Sequence, residues 1–241
     1  MKTKYWSILV FVIVILTFSV VAIAFTPPAN DKAKEPLDKI TFIHYKDGTV
    51  KAGGKAATDN TCYKLLGVKW KTLPVSYVIN PKGYEATFVA NAISASTLEW
   101  DSHTLASLFG GYTISNSATW DDTSSQVDYQ NEYVFGAYPD SSVIAVTNVW
   151  YTRFSRQIVD YDVLFNTQYF TFKDCSASGS CPASMDLQNI ATHETGHGIG
   201  LADIYSTGCT EVTMYGYSGN GETKKRTLAQ PDITGLQKMY G

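Results

Sequence analysis

The chain has 241 residues, of which 44% are hydrophobic and only 17% charged, with a formal net charge of −3. That is enough chain for one sizeable domain with its own core. The lack of a basic excess excludes nucleic acid as a partner, the mild acidity singles out no substrate, and 16 tyrosines suit a strand-rich domain.

The first stretch reads as an address. Lys2 and Lys4 make a positive start, and an apolar run from Trp6 to Ile23 is broken only by Ser7, Thr17 and Ser19. Ala22-Ile23-Ala24 then has the small-x-small form of a signal-peptidase site, so residues 1–24 are expected to be a signal peptide of a secreted chain. Left uncut, residues 6–23 are long enough to anchor the chain to the outer face of a membrane, the only membrane association the sequence offers. Residues 25–60 read as a linker or short pro-segment, with Pro27, Pro28, Pro36, a charged run from Asp31 to Asp38 and a Lys/Gly/Ala stretch from Lys51 to Ala57. One strand pattern, Ile40 to Tyr45, lies inside it. The segment is too short and polar for its own core, which leaves His44 solvated.

The domain is expected over residues 61–241. Val75 to Ile79 alternates and is β-branched, so it reads as a strand closed by Asn80-Pro81. Glu85 to Trp100 reads as a helix with Val89, Ile93, Ser96 and Trp100 in one stripe, and His103 falls at its end. Asp101 to Asp128 is polar and reads as loop. Strand patterns return at Glu132–Phe135, Val143–Tyr151 and Ile158–Phe165. A second helix begins near Ser184, a good N-cap, with Asp186 in its first turn. A last helix spans Pro231 to Tyr240, with Ile233, Leu236 and Tyr240 inward. Strands followed by helices at one side and end make an α+β domain.

Four cysteines, Cys62, Cys175, Cys181 and Cys209, read as disulfides in an exported chain, with three pairings open. The short Ser/Gly loop between Cys175 and Cys181 favours Cys175–Cys181, which leaves Cys62–Cys209.

The second helix carries the chemistry. Thr192 to Ile204 reads T-H-E-T-G-H-G-I-G-L-A-D-I. His193 and His197 lie one turn apart on one helix face and can direct two ring nitrogens at one point, the outline of a zinc site. A catalytic zinc takes three protein ligands and keeps one position open. No histidine follows His197, and Asp203 is the third ligand once Gly200 ends the helix in a left-handed turn. Glu194 can reach the attacking water without binding the metal and serve as general base and acid.

These residues, with Met214 in Val212-Thr213-Met214-Tyr215, resemble the metzincin metallopeptidases, whose pattern is H-E-x-x-H-x-x-G-x-x-H/D followed by a methionine turn. Asn131–Phe135, Asp160–Asn166 and Asp232–Gly241 are similar to segments of the matrixin-like secreted proteases (peptidase M10 type). An aspartate as third ligand resembles the small bacterial snapalysin variant. The resemblance implies a metzincin-like catalytic domain: a twisted mixed β-sheet with a long helix, the zinc-binding helix and a C-terminal helix. It further implies one catalytic Zn²⁺ and an apolar floor at Met214. A tyrosine near this turn supports the oxyanion in some metzincins, and Tyr215 and Tyr217 stand one residue off that pattern. The P-R-C-G switch of matrixin pro-domains is absent, so Cys62 is assigned to structure. Calcium is carried by no motif.

The sequence thus points to a monomeric secreted zinc endopeptidase acting on proteins or peptides, which would lie extended along Val143–Tyr151 as an edge strand. Two rivals stand beside it. One is another zinc peptidase class with Glu211 or Glu222 as third ligand. The other is a non-catalytic extracellular zinc-containing binding module that keeps the fold.

Overall fold

Three segments rich in β-branched and aromatic residues set the centre of the fold. Asn131–Gly136 (β4), Val143–Thr152 (β5) and Ile158–Asn166 (β6) are buried at every position, as strands covered on both faces must be. The structure, a computed structural model, describes residues 35–48, 61–176 and 181–241. The expected signal peptide, and residues 25–60 apart from 35–48, lie outside the described residues. Among the described residues no helix is long and apolar enough to cross a membrane.

Four further strands complete the main sheet: Leu37–Lys46 (β1), Val75–Asn80 (β2), Phe109–Ile114 (β3) and Tyr217–Ser218 (β9). Its order is β3-β2-β4-β6-β5-β1-β9. Strands β2, β3, β4 and β6 run parallel, and β5 turns back antiparallel to β6. Phe172–Lys173 (β7) and Met185–Asp186 (β8) form a separate two-stranded ladder. Three helices, Ala86–Asp101 (α1), Leu187–Gly198 (α2) and Gln230–Tyr240 (α3), complete the α+β architecture.

The long helix α1 starts where Glu85 caps it, accepting from the amides of Thr87 and Phe88 at 2.9 and 2.6 Å. Its stripe of Val89, Ile93, Ser96 and Trp100 is buried. That stripe lies on α2: Trp100 Nε1 donates to the Thr192 carbonyl at 2.8 Å, and Ser96 Oγ to the Gln188 carbonyl at 3.2 Å. The site helix is therefore held by polar bonds as well as packing.

Five readings change. Residues 37–46 are not spacer but a strand of the main sheet, paired antiparallel with β5 from Leu37↔Thr152 to Tyr45↔Val143. Consequently β5 is not an edge strand, because β1 covers its outer side. The region read as loop before Asp128 contains β3, whose Gly110-Gly111 and exposed outer residues hid the alternation. Helix α2 starts after Asp186, not Ser184, since Met185 and Asp186 are extended in β8; Asp186 is the N-cap, accepting from Asn189 N at 2.8 Å. In α3, Leu236 is buried while Ile233 and Tyr240 are only half-buried, their helix face being shared with Asp232.

Cys62 is bonded to Cys209 and Cys175 to Cys181. The first bond closes a loop of 147 residues and ties the start of the domain to the segment between α2 and β9.

Candidate metal centre

Helix α2 is buried along almost its whole length, although its composition is polar. Its glycines explain how it fits. A Cβ at Gly196 would stand 2.3 Å from Met214 Sδ and 2.8 Å from the Trp100 ring, so the helix admits the methionine beneath it only because that side chain is missing. Gly200 has φ +110°, where an L side chain is strained. Around it Leu201 N donates to the Gly196 carbonyl and Gly200 N to the His197 carbonyl, the paired bonds of a Schellman ending. The chain then reverses and brings Asp203 back over the helix.

Three atoms meet there. His193 Nε2 and His197 Nε2 are 3.2 Å apart, and Asp203 Oδ1 lies 3.2 and 3.3 Å from them. Three donors about 2.0–2.1 Å from one tetrahedral ion stand about 3.3 Å from each other. The far nitrogens fix the tautomers: His193 Nδ1 donates to the Thr213 carbonyl at 2.8 Å and His197 Nδ1 to the Leu201 carbonyl at 2.9 Å. Both Nε2 lone pairs therefore face the common point. Asp203 Oδ1 is a buried oxygen with no hydrogen-bond donor, and Asp203 Oδ2 accepts from Tyr205 OH at 3.1 Å. An orphaned carboxylate oxygen facing two imine nitrogens is the donor set of a divalent transition-metal ion, zinc among them.

Burial lowers His193 to about 4, so it is neutral. At His197 burial also acts to lower the ring, but the Asp203 carboxylate outweighs it and the group is raised. Burial alone would raise the Asp203 carboxyl, but His197 and His193 outweigh it and hold the group ionised.

Glu194 points elsewhere. Its Oε2 accepts from Thr147 Oγ1 of β5 at 2.5 Å and its Oε1 from His44 Nδ1 of β1 at 2.8 Å. Burial pushes its carboxyl up to about 7, a value suited to accepting and returning a proton near neutrality.

The expectation of a solvated His44 is thus overturned: it is 1% exposed, because the strand that carries it crosses the face of the site. Its Nε2 lies 3.0 Å from Ser218 Oγ and 3.3 Å from Lys225 Nζ. Its ring tilts over His193 at 4.0 Å, and the ring of Phe42 stacks on His197 at 3.8 Å with an interplanar angle of 5°. Lys225 is also buried. Its ammonium donates to the carbonyls of Tyr215 and Tyr217 at 2.5 and 2.7 Å and to Ser218 Oγ at 2.8 Å, and burial lowers it to about 8.

Met214 is buried, and its turn hangs from Asp232 of α3. That carboxylate accepts from Thr213 N at 2.8 Å, Met214 N at 3.2 Å and Ala229 N at 3.0 Å. Tyr215 and Tyr217 meet their surroundings through their carbonyls and ring faces, and it is Tyr205 that gives its hydroxyl to a ligand. Glu211 is exposed and pairs with Lys224, while Glu222 bonds to Ser218 and Asn189, so neither joins the three-atom cluster. His103 pairs with Glu99 at the end of α1.

A second group of acids lies under the loop before β4. Asp121, Glu132, Asp160 and Asp162 are buried, and Glu132 Oε2, Asp160 Oδ1 and Asp162 Oδ1 have no hydrogen-bond partner. Burial raises all three of these carboxyls, Glu132 to about 7. Sequence patterning missed the group because it is drawn from a loop and two strands.

With this geometry in view, comparison with known proteins is specific. The family model for Matrixin, a peptidase family, matches residues 85–241, well over half of the chain. Matrilysin of Homo sapiens is 41% identical over 51 residues, which is 21% of this chain and 18% of matrilysin's own length.

Proposed function

Because the chain belongs to the matrixin family of zinc-dependent peptidases, we propose that it is an exported metalloendopeptidase that hydrolyses peptide bonds at the His193–His197–Asp203 centre. The single observation that carries the reading is the triangle of facing ligand atoms, 3.2 to 3.3 Å on each edge, with a buried carboxylate beside it. Zinc held there supplies a Lewis acid that polarises the scissile carbonyl and acidifies a water.

The chain's own groups do the rest. Glu194 takes a proton from the attacking water as its oxygen bonds to the carbonyl carbon. It then delivers that proton to the amide nitrogen as the C–N bond breaks. Thr147 holds one oxygen of Glu194 and orients it. Met214 supports the helix from below, and Tyr215 and Tyr217 are the candidates for oxyanion support. Residues 61–241 are the working domain, acting as a monomer on proteins or peptides. Export is supported by the two disulfides and by the apolar run ending in Ala22-Ile23-Ala24.

The test is digestion of a peptide library by zinc-loaded protein, intact and cut before Cys62, with and without a chelator, read by mass spectrometry. Chelator-sensitive cleavage that vanishes in Glu194→Ala is expected. Protein with one bound zinc that cleaves nothing in either form would instead leave the non-catalytic binding module as the function.

A further inference from the structure

The segment that brings Asp203 to the site carries a second polar group with it. Beyond the Gly200 turn the chain forms a short parallel bridge, Ile204↔Tyr215. Ile204 N donates to the Met214 carbonyl at 2.8 Å, and Gly216 N to the Ile204 carbonyl at 3.0 Å. Residues two apart on extended chain share a side, and Tyr205 OH reaches back to Asp203 Oδ2 at 3.1 Å. The ring is seated as closely as the backbone. A Cβ at Gly216 would stand 2.3 Å from Tyr205 Cε1 and 2.6 Å from Cζ, so the ring lies where only a glycine leaves room. Tyr217 meets it edge-on, 5.3 Å between centroids.

The two oxygens of Asp203 thereby have different tasks. Oδ1 faces His193 Nε2 and His197 Nε2 at 3.2 and 3.3 Å and has no hydrogen-bond partner, while Oδ2 is held by the tyrosine. The distinction matters for a carboxylate as it would not for a histidine. A carboxylate can give a metal one oxygen or both, whereas an imidazole has one nitrogen to turn toward it. Were both oxygens to bind, the second would compete for the position that a catalytic site keeps for water. A hydroxyl on Oδ2 fixes the plane of the carboxylate. It also draws off part of the charge that an anionic ligand brings to the metal. Tyr215 and Tyr217 stand on the facing strand, but they meet their surroundings through carbonyls and ring faces.

We propose that Tyr205 is a positioning residue whose hydroxyl keeps Asp203 a one-oxygen ligand, so that one coordination position stays free for the attacking water. The inference rests on the peptidase reading of the same centre and adds the residue that makes an aspartate serviceable as third ligand. It also gives Gly216 a role, as the seat of the Tyr205 ring.

The experiment loads the metal-free full chain with Co²⁺, whose visible bands are intense in four-coordinate sites and weak in five-coordinate ones. Wild type should give the four-coordinate spectrum. Tyr205→Phe keeps the ring and removes only the hydroxyl, and should lose band intensity toward the five-coordinate form. Gly216→Ala, which pushes the ring off its seat, should change the spectrum in the same direction. In an Asp203→His background the third ligand has one nitrogen to give, so adding Tyr205→Phe should leave the spectrum unaltered; a merely structural role for the tyrosine would change it in both backgrounds. With zinc, and a peptide taken from the library, Tyr205→Phe should lower kcat about 10–100-fold at unchanged KM. Identical cobalt spectra for wild type and Tyr205→Phe would overturn the inference whatever the turnover, and a wild type that still cleaves would leave the peptidase reading intact. The expected spectral change in a protein that cleaves nothing would uphold the positioning role and remove the peptidase reading.

Discussion

Asp232→Asn tests how the metal centre is held from behind. Asp232 touches no ligand, but its carboxylate accepts from three backbone amides, among them Thr213 N. The carbonyl of the same Thr213 orients His193 through Nδ1. An asparagine keeps one oxygen, enough for Thr213 N and Ala229 N, which share Oδ2. Its NH₂ group would then face Met214 N, replacing a bond by two opposed donors. Losing a hydrogen bond to a charged acceptor and leaving a buried amide unpaired costs about 3 kcal/mol. In a domain of this size that lowers Tm by about 6–12 °C. Loosening the partner of a ligating histidine should also weaken zinc binding about 10–100-fold. Differential scanning calorimetry gives the first number and competition with a chromophoric chelator the second. A Tm within 2 °C of wild type (about the noise around zero change on that scale) together with unchanged zinc affinity would refute the chain Asp232–Thr213–His193.

Other outcomes follow from the same contacts. Glu194→Gln should lower kcat/KM about 10²–10⁴-fold against the parent in the same form, with zinc content by mass spectrometry unchanged, because Glu194 lies outside the ligand triangle. Asp203→Ala should lose zinc on dialysis while Glu211→Ala and Glu222→Ala retain it; the opposite pattern would move the third ligand. Gly196→Ala places a methyl against Met214 and Trp100 and should destabilise by about 1–3 kcal/mol, read by urea unfolding. The buried carboxyls of Glu132, Asp160 and Asp162 have folded pKa values raised above their unfolded ones, so the native state binds the extra protons. Their stabilising contribution is present below the unfolded value of about 4 and fades as pH rises through about 7 and beyond. In chelator, Tm should fall from pH 5 to pH 8 (the two sides of that window, roughly), and Asp162→Asn should flatten the slope; a Tm that rises instead would contradict the sign.

What could be read from the chain was local. Two histidines at helical spacing, a glycine that ends the helix and an aspartate three residues beyond it lie within one stretch of sequence, so the histidine pair follows from helix geometry and the approach of Asp203 from the turn at Gly200. The strands β2, β4, β5 and β6 were visible because burial on one or both faces fixes their composition. The partners that complete the site were not visible in this way. His44 lies 150 residues from Glu194 and sits in a segment whose overall polarity signals solvent, and only its two inward side chains betray the strand. Lys225 and Asp232 act on backbone carbonyls and amides, which leave no trace in side-chain pattern. β3 escaped because an exposed strand with two adjacent glycines carries no alternation to detect.

The bond between Cys62 and Cys209 has a consequence for where the protein can work. Cys209 lies on the excursion between Asp203, five residues past the site helix, and Met214, so that bond pins this loop to Cys62. Closing 147 residues of chain restrains the unfolded state by about 5 kcal/mol on the chain-entropy view, comparable with the whole stability of many domains. A thiol-rich compartment would withhold that restraint while the chain is still folding. The centre would then be assembled fully only where that bond can form.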